Sequence, residues 1–497
     1  MKRDMRKTWF VSAVLLLLCA SGAWSVDADE GSAACPEPAS APPLGRIDIV
    51  IDSALARGEL TGARVGVLVE ALETGEVLYE RNADKPFIPA SNMKVVTAAA
   101  ALELLGPDYV YKTIIATKDG IEDGRLDGDL YIRGSGDPSL VFEEMERLAE
   151  ALRFRGLELI DGDVVLDDGL FAVAGPVDPD AHEGDRAYHA RVGALSYNFN
   201  AVAVRVSPGG ERGDRALVSL SPETGFVDIR NRAVTASAGS RSTVVVRRRR
   251  VDGRNIIEVE GRVPAGSPGR AFYRSLDDPT GWFGSGLTAA LDRAGIEVTG
   301  RARRGATPGD AVELVTHESK PLALLARDLG KFSNNFIAEQ VLLTIAAEAG
   351  QVPATTEAGA RSVSDYLGGV VPDTMVADLR VVDGSGFSRT NRLTPRAIVS
   401  VMRSVLTSFE TSYEFGGSLS VSGRDGTLSD RMGYPDLEGA VRAKTGLLDG
   451  VTAISGVMVT NAGEEVLFSI LVNGFGCEAW RSHDLEHAVL GAIREGR

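Results

Sequence analysis

A serine and a lysine three residues apart, Ser91 and Lys94, open an alanine- and leucine-rich stretch (SNMKVVTAAAALELL, 91–105). Pro89 precedes it and Gly106-Pro107 ends it, and signals of this kind bound a helix. On a helix, residues three apart share a face, so the Ser91 hydroxyl and the Lys94 amine can approach to hydrogen-bonding range. A hydroxyl needs a base before it can attack a carbonyl. A lysine can be that base when burial or a second cation lowers its pKa. The helix N-terminus adds aligned N–H groups where an oxyanion would form. Taken alone the pair is weak, because Ser-x-x-Lys recurs by chance and Ser91 would serve equally as a helix N-cap. Two later segments strengthen it. Ser333-Asn334-Asn335 lies where a second helix begins (KFSNNFIAEQVLL), and Lys444-Thr445-Gly446 opens an alternating strand that reaches Val457 and beyond.

S-x-x-K, then S-x-N, then K-T-G, in that order, is the motif set of serine β-lactamases and penicillin-binding proteins. The flanking segments make the resemblance more specific. Phe87-Ile88-Pro89-Ala90 leads into Ser91, and Leu130-Tyr131-Ile132-Arg133-Gly134-Ser135-Gly136-Asp137-Pro138 and Ala194-Leu195-Ser196-Tyr197-Asn198-Phe199-Asn200 follow it. Asp383-Gly384-Ser385-Gly386-Phe387-Ser388-Arg389 and Asp425-Gly426-Thr427-Leu428 come later. Together they resemble the D-alanyl-D-alanine carboxypeptidase/endopeptidase family, the class C low-molecular-mass penicillin-binding proteins of the penicillin-binding protein 4 type. Ser91 and Ser333 are 242 residues apart and Ser333 and Lys444 only 111, so the extra length lies between the first two motifs. Similar proteins carry an inserted module there and compact β-lactamases do not, which favours a peptidase.

The resemblance implies roles. Ser91 would attack the carbonyl between two D-alanines while Lys94 takes its proton. Ser333 would relay a proton to the departing amine, and Asn335 would position Lys94 and the substrate amide. Lys444 would lower the pKa of Lys94 by its charge and, with Thr445 and Gly446 in the same motif, bind the terminal carboxylate. The oxyanion would meet the N–H groups of Ser91 and Leu447. The second motif reads Ser-Asn-Asn, which keeps its first and third positions. The reaction is acyl transfer to water through an acyl-serine, with no cofactor and no metal. The partners are peptidoglycan stem peptides ending in D-Ala-D-Ala, with β-lactams as covalent inhibitors. Rival readings are a β-lactamase or esterase of the same fold, and a catalytically silent peptidoglycan-binding scaffold.

The rest of the chain must position these residues. Its 497 residues, 44% hydrophobic and 25% charged, exceed one ordinary core and fit a folded protein of two or three domains. Residues 1–25 carry Lys2, Arg3, Arg6 and Lys7, then an apolar run, then small residues, which is the layout of a signal peptide. The chain is therefore expected to be exported, to the periplasm or the extracellular wall space. Residues 26–43 read as a disordered lead-in. The catalytic part, expected at 44–118 and 308–497, is α/β: an antiparallel sheet with helices, plus a helical cluster holding Ser333, in the serine β-lactamase/penicillin-binding transpeptidase-like fold. Between its halves, 119–307 reads as a β-rich module, with room for two nested subdomains.

Other signals were set aside. A net charge of −16 makes nucleic acid a poor partner, so Arg247-Arg248-Arg249-Arg250 reads as a solvated strand face. His483-Asp484-Leu485-Glu486-His487 matches a zinc-protease pattern but is better read as the polar face of a terminal helix. Asp383 and Asp425 read as turn or capping residues rather than cleft residues. No later stretch is long and apolar enough to cross a membrane. Whether Cys35 and Cys477 pair stays open.

Overall fold

The computed structural model describes residues 47–56, 60–172, 184–433, 435–476 and 479–495. The expected signal peptide and lead-in, and both Cys35 and Cys477, lie outside the described residues.

Valines alternate along β1 (Arg64–Ala71), which pairs antiparallel with β2 (Val77–Arg81) around a turn where Gly75 takes φ 75°. Four C-terminal strands complete the sheet: β3 (Ser420–Val421), β4 (Val441–Leu448), β5 (Val451–Val459) and β6 (Glu465–Asn473). The order is β2-β1-β6-β5-β4-β3, antiparallel throughout. The alternation read from Lys444 to Val457 is in fact a hairpin, with Asp449-Gly450 at its turn and Lys444 in mid-strand. Both strands are largely buried, so the run reads as one long strand although Asp449-Gly450 marks the turn.

Strand periodicity splits the core in two. Val65, Val67, Val69, Phe468, Ile470 and Val472 face Leu485, Val489, Leu490 and Ile493 of the terminal helix (Ala479–Glu495). Leu68, Leu467 and Leu471 face the other way, into a helical cluster. Each such side chain contributes about 1.5–3 kcal/mol by leaving water. In that cluster, every residue of α1 (Met93–Leu104) from Met93 to Leu102 is buried. The helix is therefore central. It packs on α2 (Leu322–Phe332), α3 (Asn335–Glu348) and α4 (Pro395–Thr407), and α4 is the helix that lies on the sheet. The run Ala98–Ala101 lets these neighbours approach closely. The leading turn of α1, 90–92, abuts β4 and β5.

Between the two halves, strands 112–117, 130–133, 164–167, 302–304 and 312–318 form one five-stranded sheet, backed by helices 142–154 and 279–293. Residues 201–275 supply smaller sheets beyond it. They share one apolar cluster, centred on Leu148, Leu152, Ile257, Trp282 and Phe283, which contains no residue of the catalytic sheet. The Val251-Asp252-Gly253-Arg254 turn closes an antiparallel hairpin, with Asp252 and Gly253 both at positive φ. The arginine run lies on its first strand, where Arg249 pairs with Glu258 at 3.0 Å and Arg248 pairs with Asp277.

Candidate active site

Ser91 sits in a 3₁₀ turn, Ala90–Asn92, at the mouth of α1. Ala90 takes φ 46°, in the left-handed region where a residue with a Cβ is strained by about 1–2 kcal/mol. Neighbours hold it there. Gly386 packs so tightly on Ala90 that a Cβ would come 1.8 Å from the Ala90 carbonyl oxygen. Gly446 lies against the same turn, with a would-be Cβ 3.1 Å from the Ser91 nitrogen, and the Asn92 side chain donates to the Lys444 carbonyl at 3.1 Å. Strand β4 is thus tied to the serine turn at both positions.

One helical turn on, the Lys94 Nζ lies 3.0 Å from Ser91 Oγ, 2.8 Å from Asn335 Oδ1 and 2.6 Å from the Ser385 carbonyl oxygen. Lys94 is 1% exposed. Burial lowers its pKa to about 8, against an opposing pull from Asp383 and Glu339. Lys444, also 1% exposed, donates to Ser333 Oγ at 2.8 Å and to the Thr445 carbonyl at 2.7 Å. Burial, and then the charge of Lys94, push Lys444 well below the usual lysine range. Desolvation is the larger cause for both amines, and the repulsion between the two like charges is mutual, so each disfavours the other's charged form.

Ser333 ends α2 at φ 53°, and the chain restarts as α3 with Asn334 as N-cap, its side chain accepting from the Ile337 N–H at 3.2 Å. That break turns Ser333 toward Lys444 and Asn335 toward Lys94. Thr445 donates to Thr427 at 2.8 Å. Asp425 braces that segment, accepting from the Val421 N–H at 2.8 Å and pairing with Lys331 at 2.7 Å. The Leu447 side chain is exposed. The structure thus gathers Ser91, Lys94, Ser333, Asn335, Lys444, Thr445 and Gly446 at one cleft, with Leu447 next along β4. The pattern in the terminal helix does not gather: Glu486 is fully buried on Arg431 at 2.6 Å, and burial takes His483 down to about 4.

Sequence reasoning missed Glu339 and Gln340. Glu339 accepts from the Gly384 and Ser385 N–H groups at 3.2 and 2.8 Å, beside Asp383, which acts in the turn role read for it by accepting from the Gly386 and Ser388 N–H groups at 2.7 and 2.6 Å. Gln340 reaches the other way, into the inserted module, donating to the Gly136 and Gly193 carbonyls and accepting from the Gly193 N–H. The available signal was a Glu-Gln pair in an otherwise apolar helix, since buried polar groups require partners. A hydroxyl hydrogen-bonded to a buried amine, with a second amine on a second hydroxyl, can carry out acyl transfer without a histidine.

Fold and site together define a serine hydrolase of the β-lactamase/penicillin-binding transpeptidase-like architecture. Residues 47–493 match the model of the D-Ala-D-Ala carboxypeptidase 3 (S13) family. The chain belongs to that family and is a serine-type D-Ala-D-Ala carboxypeptidase. It is 36% identical over 439 residues to the D-alanyl-D-alanine carboxypeptidase of Actinomadura sp. (strain R39), covering 85% of this chain and 80% of that one. It is 25% identical over 428 residues to D-alanyl-D-alanine carboxypeptidase DacB of Haemophilus influenzae, covering 83% and 86%. Among solved structures it resembles penicillin binding protein 4 (dacB) from Haemophilus influenzae, with a TM-score of 0.77, 24% identity, and 90% of this chain and 99% of that one covered.

Proposed function

We propose that Ser91 is the nucleophile, Lys94 its general base and the 91/333/444 cleft the site of D-alanine release. The observation that carries this is the buried Lys94 amine, 3.0 Å from Ser91 Oγ and with no ion-pair partner among the described residues. A lysine so placed is partly neutral near pH 8 and can accept a proton. Ser91 attacks the carbonyl joining the two D-alanines as its proton passes to Lys94, and the oxyanion rests on the N–H groups of Ser91 and Leu447. Ser333, held by Lys444, relays a proton to the departing D-alanine amine. Water then cleaves the acyl-Ser91 ester. Asn335 keeps Lys94 in place, and Lys444 with Thr445 receives the substrate's terminal carboxylate, which confines attack to peptide C-termini.

The same cleft would be acylated by β-lactams, and a relative of the same fold has been solved with a β-lactam bound. The substrates are peptidoglycan stem peptides, cut as carboxypeptidase and endopeptidase, by a protein exported to the wall space. The separate apolar cluster between the motifs supports the inserted module read at 119–307 within a discontinuous catalytic domain, and strands 112–117 and 312–318, just outside those bounds, belong to the module's five-stranded sheet.

Incubation of the mature protein with benzylpenicillin, followed by intact mass and peptide mapping, tests the assignment. A long-lived adduct on Ser91, absent from Ser91→Ala, is the expected result. Rapid drug turnover without adduct, or no reaction with either the drug or a D-Ala-D-Ala peptide, would overturn it.

A further inference from the structure

Lys94 has three hydrogen-bond partners, and one is a backbone carbonyl that something must hold in place. That carbonyl belongs to Ser385, in the loop 383–388. The loop has no regular backbone pairing, and two buried carboxylates organise it. Glu339, 5% exposed, takes the Gly384 and Ser385 N–H groups on its two oxygens. Asp383, wholly buried, takes the Gly386 and Ser388 N–H groups and the Asn391 side-chain amide. The Thr97 hydroxyl, one turn beyond Lys94 on α1, donates to the Gly384 carbonyl at 2.7 Å.

Glu339 lies one turn after Asn335 on α3, and residues four apart share a face. One helix face therefore reaches Lys94 twice, directly through Asn335 and through the loop by way of Glu339. Burying a carboxylate is costly unless its lone pairs are used, and an apolar residue would fill this interior position more cheaply. We propose that Glu339 is a positioning residue for acyl transfer: it fixes the Ser385 carbonyl against Lys94, and its charge helps set how readily Lys94 releases its proton. The inference rests on the assignment of Lys94 as base.

The charged groups around the pair can be named. Glu339 faces Asp383 from the loop and Lys94 from α1, and Lys94 faces both carboxylates, with Lys444 of β4 acting on it from beyond. Burial and then Asp383 raise Glu339. In its ionised form Glu339 pulls Lys94 toward the protonated state, so an anion there holds the proton on Lys94. Removing the charge must therefore move the acid limb of the acylation rate to lower pH. Shortening the side chain must instead lower the rate and leave the limb in place.

Two substitutions separate charge from reach, with second-order benzylpenicillin acylation of the whole mature chain measured against pH and thermal melting as the fold control. Glu339→Gln keeps the size and loses the charge. It is expected to shift the acid limb downward by about half a pH unit or more, with a plateau rate lowered about tenfold because one loop N–H loses its acceptor. Glu339→Asp keeps the charge and withdraws it, and should lower the plateau with an unmoved limb. Asp383→Asn, which also removes a charge from the pair, should move the limb in the same direction as Glu339→Gln, and carries the test if the Glu339 variants fail to fold. A variant that only lowers the melting temperature or the reactive fraction, with rate and limb unchanged, would make Glu339 purely structural and overturn the proposal. Failure of the unsubstituted protein to acylate at Ser91 would instead overturn the reading on which the proposal rests.

Discussion

In the cleft, Lys94, Lys444, Glu339 and Asp383 are each at most 5% exposed, and neither lysine forms an ion pair among the described residues. In the inserted module, arginines pair directly with carboxylates, some at the surface and some, like Arg274 with Asp185 at 3.1 Å, largely buried. Arg303 meets Asp129 and Asp163 at 2.8 and 2.6 Å, and Arg304 meets Asp168 and Asp278 at 2.9 and 2.6 Å, with Arg304 half exposed. The two regions use the same residue types to opposite ends. Exposed pairs are worth about 0–1 kcal/mol each and serve mainly solubility. Buried, unpaired amines cost stability, and the site keeps them because a desolvated lysine is a usable base. Buried amines without an ion-pair partner thus mark the candidate site among the described residues, and paired arginines mark the scaffold.

Four measurements would break or sharpen that contrast. The largest effect is expected from Lys94→Met, which should lower acylation and D-alanine release by about 10³-fold or more, the scale of losing a member of a nucleophile–base unit. It should nevertheless raise the melting temperature, since an apolar chain of similar length replaces a desolvated amine. A lower melting temperature would show that Lys94 stabilises the fold. Lys444→Met should lower kcat/KM for a D-Ala-D-Ala peptide by about 10²-fold, the order lost with a single charge-assisted contact, again without lowering the melting temperature.

The third effect is on pH. Acylation should fall as pH drops below about 8, because neutral Lys94 is lost there. The stability dependence has the opposite origin: the folded value lies below the unfolded lysine value, so the unfolded chain binds more protons between them. The penalty from burying Lys94 is therefore full below about 8, and is relieved as pH rises from about 8 toward the ordinary lysine range. Denaturant unfolding at pH 7.5 and 9.5, in the parent and Lys94→Met, checks this: only the parent should gain from the change at this residue. Smallest is Arg304→Ala, expected to change unfolding free energy by less than about 1 kcal/mol and to leave the acylation rate untouched. A loss of activity there would mean that the module's surface pairs act on the cleft.

Much of the site was legible because its chemistry is written in short local motifs. Ser91 and Lys94 are one helical turn apart, so sequence distance and spatial distance agree, and the same holds for Ser333 and Asn335. The Asp252-Gly253 turn was legible for the same reason. The β4–β5 hairpin carried its own local mark, Asp449-Gly450, but the mostly apolar run on either side reads as one continuous strand. Glu339 and the Ser385 carbonyl were illegible in another way: nothing in 335–348 or 383–388 alone says that the two segments meet.

Sequence by itself determined the reactive residue types, their order, the peptide class they resemble and the position of the added length between motifs. Tertiary structure alone decided that Lys94 is desolvated, that Lys444 rests on Ser333 and not beside a carboxylate, and that two buried acids hold the loop behind the base. The physical reason is that a pKa and a hydrogen bond depend on what lies within a few ångströms. Here those neighbours, Lys94 with Asn335 and Glu339 with Ser385, are separated along the chain by 241 and 46 residues.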